Sequence, residues 1–159
     1  MDGLQHGRGA PPPRADDGTL ARLDALGILA RWMDDGAFPD RMMGGVPQFR
    51  RPFVMDLAYT TVRRCRALAF AVDSFVQRRP ESLYAQAALL AGAAQILEMP
   101  SVADHAAVSS TVEALKIAEG TARAGFVNAV LRNILRNLPA VRASIAAAPP
   151  AVRFSHADE

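Results

Sequence analysis

One cysteine, Cys65, stands in a chain of 159 residues. That excludes a disulfide framework and a cysteine-based zinc site. Histidine is equally sparse: His6, His105 and His156 lie far apart and show no metal-ligand spacing. Long apolar runs are missing too. The longest, Ala87 to Ala94, falls far short of the roughly 20 residues that a membrane span requires. The N-terminus reads Met-Asp-Gly-Leu-Gln-His, without the apolar stretch of a secretory signal. A soluble, cytoplasmic protein with no membrane partner is expected. Aromatic residues are few (seven Phe, two Tyr, one Trp), and lysine is nearly absent, since Lys116 is the one basic residue of 18 that is not arginine.

What is present is apolar and helical. Half of the residues are hydrophobic and 21% are charged, with a net charge of +2. This suffices for the core of one domain and does not by itself announce a nucleic-acid binder. Residues 1–18 carry Pro11-Pro12-Pro13, glycine, arginine and aspartate with almost nothing apolar, and read as a disordered tail. From 140 the chain turns Ala- and Pro-rich again and reads as a linker-like tail to 159, leaving 19–139 as the folded unit. Within 22–142, 15 basic residues face 11 acidic ones, a net of +4.

Every strong periodicity in that unit is helical, and β-branched residues are sparse beside Ala and Leu. A first helix is expected over 20–33, with Asp17 or Thr19 as N-cap, and a short one over 39–43 before Gly44-Gly45. Pro52 opens a helical region to 77, broken near 64–66. Leu83, Ala87, Leu90, Ala94 and Leu97 share one stripe of an 81–98 helix whose other faces are also mostly Ala, so it reads as the central, buried helix. A further helix begins near His105, capped by Asp104, and stops at Gly120. In the last, 125–138, Val127, Val130, Leu131, Ile134 and Leu138 fall on one stripe while Arg132 and Arg136 point away. The fold class is an all-α bundle of about seven helices.

Two stretches carry more than helical patterning: Asp104-His105-Ala106-Ala107-Val108-Ser109-Ser110-Thr111-Val112-Glu113-Ala114-Leu115-Lys116, and Gly125-Phe126-Val127-Asn128-Ala129-Val130-Leu131-Arg132. Together, at this separation, they resemble the NusB/RsmB family of helical RNA-binding domains. The likeness is closest to the branch that forms the N-terminal domain of a small-subunit rRNA 5-methylcytosine methyltransferase. Arg153-Phe154-Ser155-His156 is similar to the point where that branch enters its second domain. The chain departs from the family's pattern at Ser109-Ser110, where Asn-Glu is usual, and after His156. It contains no Gly-rich cofactor loop, and Cys65 sits in Arg-Cys-Arg, unlike the cysteine motifs of those enzymes.

The resemblance therefore implies a NusB-like, non-catalytic module without cofactor or metal. Its RNA would be ribosomal or the nascent transcript. A ribosomal protein or a methyltransferase domain would supply selectivity as partner, and a homodimer stays open. The residues agree that no enzyme is evident. Cys65 reads as a buried structural thiol and His105 as a packing or capping residue, and no carboxylate pair is placed for acid–base work. Arginine forks suit phosphate oxygens, so the candidate RNA-binding residues are Arg50, Arg51, Arg63, Arg64, Arg66, Lys116, Arg132 and Arg136. Each taken singly could equally be a solvated helix face or an internal ion pair. Trp32 and Phe49 are the aromatics that could be exposed for stacking. Two other readings remain: a transcription antitermination factor that binds leader RNA with a ribosomal protein, and a helical protein–protein adaptor whose Arg faces meet acidic protein.

Overall fold

The computed structural model describes residues 15–153. Most of the expected N-terminal tail and the Phe154-Ser155-His156 edge lie outside that range. Within it all regular structure is helical, without strands.

Helix α1 spans Asp17–Asp35. Its N-cap is Asp16, one residue before the expected Asp17 and three before Thr19, and the Asp16 carboxylate accepts the Thr19 N–H at 2.7 Å. It ends at Gly36, whose φ of 78° permits the left-handed cap that returns its N–H to the Trp32 carbonyl. A 3-10 helix, Pro39–Gly45, leads into α2, Arg51–Arg63, which has Pro52 in its first turn. The expected break falls at Arg64, and α3, Cys65–Asp73, follows directly. Cys65 is thus the first residue of a helix.

Helix α4, Leu83–Glu98, starts where the Ser82 hydroxyl accepts the Ala85 N–H. It packs against α1, α2 and α3 and, further along the chain, α5 (Asp104–Glu119) and α6 (Ala124–Arg136). Being surrounded explains its composition: from Ala87 to Leu97 all but Leu90 are buried. Helix α5 begins without a side-chain cap. Ala103 occupies the cap position, Asp104 sits in the first turn where the helix dipole favours a carboxylate, and His105 is exposed. Val127, Val130, Leu131 and Ile134 of α6 are buried as its stripe requires, and Arg132 and Arg136 are exposed.

The segment from 140, expected as a linker, is helical. Helix α7 runs over Leu138–Ala147 with Pro139 in its first turn, and a short α8, Pro150–Arg153, follows. Val141 is buried and Ile145 packs against the core, so two apolar residues four apart hold an otherwise Ala-rich helix on the bundle. No helix of the described residues is long and apolar enough to cross a membrane.

Candidate nucleic-acid interface

The two sequence stretches singled out above meet in space. Helices α5 and α6 pack side by side, and a groove of about 260 Å3 opens along their seam. Helix α5 contributes Ser109, Glu113 and Lys116, and α6 contributes Gly125, Asn128 and Arg132. Spacings of three, four and seven residues put each set on one helix face. Gly125, which adds no side chain, leaves the mouth open. The groove's character is polar and cationic: a hydroxyl, an amide, one ammonium, one guanidinium and a single carboxylate.

Its charged groups are held by exposed partners, only one of them ionic. Lys116 Nζ donates to Glu113 Oε2 at 2.9 Å, with both side chains about half exposed. An exposed pair of this kind contributes little to stability and exchanges readily. Arg132 Nε donates to Asn128 Oδ1 at 3.3 Å on its own helix, and its charge meets no carboxylate among the described residues. One turn on, Arg136 donates to Asn133, again a neutral acceptor. This cationic face therefore has free capacity for phosphate oxygens.

The other candidates divide between structural and open roles. Arg50 reaches back to α1, donating to Asp24 at 3.1 Å and lying 3.9 Å from Asp17, with its side chain 15% exposed. Its guanidinium also covers one face of Phe49, 5.1 Å from the ring centroid, and leaves that ring 69% exposed. Arg51 donates to the Val46 carbonyl at 2.8 Å and to that of Gly44 at 3.5 Å, tying α2 to the 3-10 segment. Arg64 donates to Glu98 and to the Arg153 carbonyl. Arg63 and Arg66 are exposed and form no ion pair among the described residues. Thus Lys116 and Arg132 share one groove with Arg136 beside it, Arg50 and Arg51 lie at the start of α2, and Arg63, Arg64 and Arg66 gather at the α2–α3 joint.

Sequence reasoning passed over Ser109 and Asn128 as groove residues, although both lie within the quoted stretches. It also passed over Arg142, which sits one residue after Val141 on the helix taken for a linker. Trp32 is half-buried against the core rather than free for stacking. Burial pushes the Cys65 thiol above its ordinary range, outweighing the opposing charge of Arg66, so it is not an activated nucleophile. No group of acidic, His or Cys residues among those described is placed to hold a metal ion.

Comparison with known proteins supplies the context for this groove. The chain matches the NusB family over residues 19–136. It is 37% identical over 134 residues to the ribosomal RNA small subunit methyltransferase B of Xanthomonas campestris pv. campestris, covering 78% of this chain and 30% of that relative. This chain therefore spans about a third of that relative's length. Its fold is similar to a chain from the crystal structure of antitermination factors NusB and NusE in complex with dsRNA. That match has a TM-score of 0.66 at 22% identity and covers 74% of this chain and 95% of the other.

Proposed function

The chain belongs to the NusB family, and from that premise we propose that it is a non-catalytic RNA-binding module that targets ribosomal RNA or its nascent transcript. The observation that carries this reading is the α5–α6 groove. The two stretches on which the family resemblance rests are the ones that line it, and they present Lys116 and Arg132 with neutral donors between them. A guanidinium fork and an ammonium a groove's width apart engage successive phosphates, while the Ser109 hydroxyl and the Asn128 amide donate to sugar or phosphate oxygens. Phe49, held from one side by Arg50, offers its other face to an unpaired base.

Phosphate contact fixes register and carries little sequence information. Selectivity then comes from a partner, which we take to be a methyltransferase domain acting on ribosomal RNA, in keeping with the name of the Xanthomonas relative. The second stretch, which ends in Val130-Leu131-Arg132 and carries the likeness to the methyltransferase branch, favours rRNA modification over antitermination. The testing experiment measures fluorescence anisotropy with an rRNA helix–loop fragment. Reversal of both charges, Arg132→Glu with Arg136→Glu, is expected to weaken binding at least tenfold while helicity by circular dichroism stays unchanged. Unchanged affinity would remove this face from the interface.

A further inference from the structure

Among the residues that line the α5–α6 groove, Glu113 is the one acid, and it stands where a surface made only for phosphate has no use for it. Its carboxylate projects from α5 one turn after Ser109 and three residues before Lys116, whose Nζ donates to Oε2 at 2.9 Å. The other oxygen, Oε1, accepts no hydrogen bond among the described residues. The Glu113 side chain is 53% exposed. An exposed pair of this kind adds little to stability, so folding does not account for the carboxylate.

The groove's other charged and amide groups lean the opposite way. Lys116 and Arg132 only donate. Asn128 accepts the Arg132 Nε–H through Oδ1, which leaves its amide N–H groups to face a ligand. Donors suit phosphate oxygens, which only accept, whereas a carboxylate beside them repels phosphate. It becomes an asset when the ligand brings a donor of its own. Along a nucleic-acid backbone the phosphate and ring oxygens accept, and the group that donates is the ribose 2′-hydroxyl, present in RNA and missing from DNA. Donors for phosphate and an acceptor for a hydroxyl, set within a turn of one another, match the alternation of phosphate and ribose.

We propose that Glu113 selects ribose over deoxyribose in this groove: Oε1 accepts the hydrogen bond of a 2′-hydroxyl while Lys116 and Arg132 hold the flanking phosphates. The inference rests on the proposed function and adds to it the feature of the ligand that the groove reads. The charge on the acceptor makes the bond stronger than one to a neutral oxygen. Without the hydroxyl, the same charge is left facing phosphates. Gain and penalty therefore act in the same direction.

The test compares the rRNA helix–loop with a copy in which 2′-fluoro replaces every 2′-hydroxyl, which keeps the sugar pucker of RNA and removes the donor. Both are titrated by anisotropy with the whole chain at one salt concentration. The wild type is expected to bind the hydroxyl form about tenfold more tightly, the worth of one hydrogen bond to a charged group. Glu113→Ala is expected to bring the two affinities together, chiefly by improving the fluoro copy. Glu113→Gln, which keeps an accepting oxygen without the charge, falls between them. Circular dichroism checks that both variants stay helical, and if the Ala variant does not, the Gln variant decides by the same ratio. A wild type without preference overturns the assignment and leaves the proposed function standing. So does a Glu113→Ala variant that improves both ligands equally, since the carboxylate would then be repelling phosphate and reading nothing. No binding of either RNA overturns the proposed function and this inference with it.

Discussion

Gln95 holds three helices together through one amide. It is 1% exposed; its Oε1 accepts from Arg22 Nε on α1 at 2.8 Å, and its Nε2 donates to the Ala91 carbonyl of α4 and the Thr111 hydroxyl of α5. Arg22 is itself buried, its guanidinium 4.8 Å from the Phe53 ring centroid and bonded to the Gly18 carbonyl. Burial lowers its pKa from the ordinary value, which marks the cost of the charge that Gln95 offsets. Gln95→Leu strands that charge and is expected to cost about 2–3 kcal/mol, read from urea unfolding. Adding Arg22→Met should recover most of the loss, because an apolar pair replaces the polar one; failure to recover would place the stabilisation elsewhere. At the surface, the Thr19 backbone N–H holds the Asp16 carboxyl below its ordinary 3.8. A depressed folded pKa gives stability that is full above the unfolded value and is lost as pH falls through the folded one. The melting temperature of the wild type should therefore fall more steeply below about pH 4 than that of Asp16→Asn, which caps without titrating.

Among the elements, α4 and α6 approach closely at Gly92. A Cβ built at Gly92 would lie 2.4 Å from Leu131 Cδ1 and 2.7 Å from Cδ2. Gly92→Ala is accordingly expected to destabilise the bundle by about 1–3 kcal/mol, the usual range for overpacking, despite the better helix propensity of alanine. A melting temperature at or above that of the wild type would show that the two helices separate freely. Elements of this kind were legible in the sequence wherever the apolar period was strong. The buried α4 and the stripe of α6 followed from residue spacing alone, and so did the break at Arg64. Helix α7 did not, because Pro139 and Pro149 bracket an Ala-rich stretch that looks like a linker. Proline is harmless in a first turn, and Val141 and Ile145 suffice as anchors once a bundle face is there to receive them. The site was legible in part. The two motif stretches mark the groove, but which arginine pairs inward is decided by residues far away in sequence: Asp24 for Arg50, Glu98 for Arg64. No local pattern announces such partners.

Over the whole molecule the distribution of charge matters more than its sum. A net of +2 conceals a cationic groove, while Arg79 with Asp73, Arg31 with Asp35, Arg64 with Glu98 and Arg50 with Asp24 spend their charge internally or on surface pairs. If the proposed function holds, such a surface would bind RNA by displacing counterions, and affinity should fall by about 0.7 log units per neutralised phosphate per log unit of salt. A protein adaptor that docks through apolar helix faces would lose little over the same range. The most direct test is the anisotropy of a labelled rRNA helix–loop fragment with the intact chain at 50 and 200 mM salt. With three phosphates engaged, the RNA-binding account predicts micromolar binding that weakens by about tenfold or more between the two. Absent or salt-insensitive binding by a fully helical protein would contradict it and favour the adaptor reading.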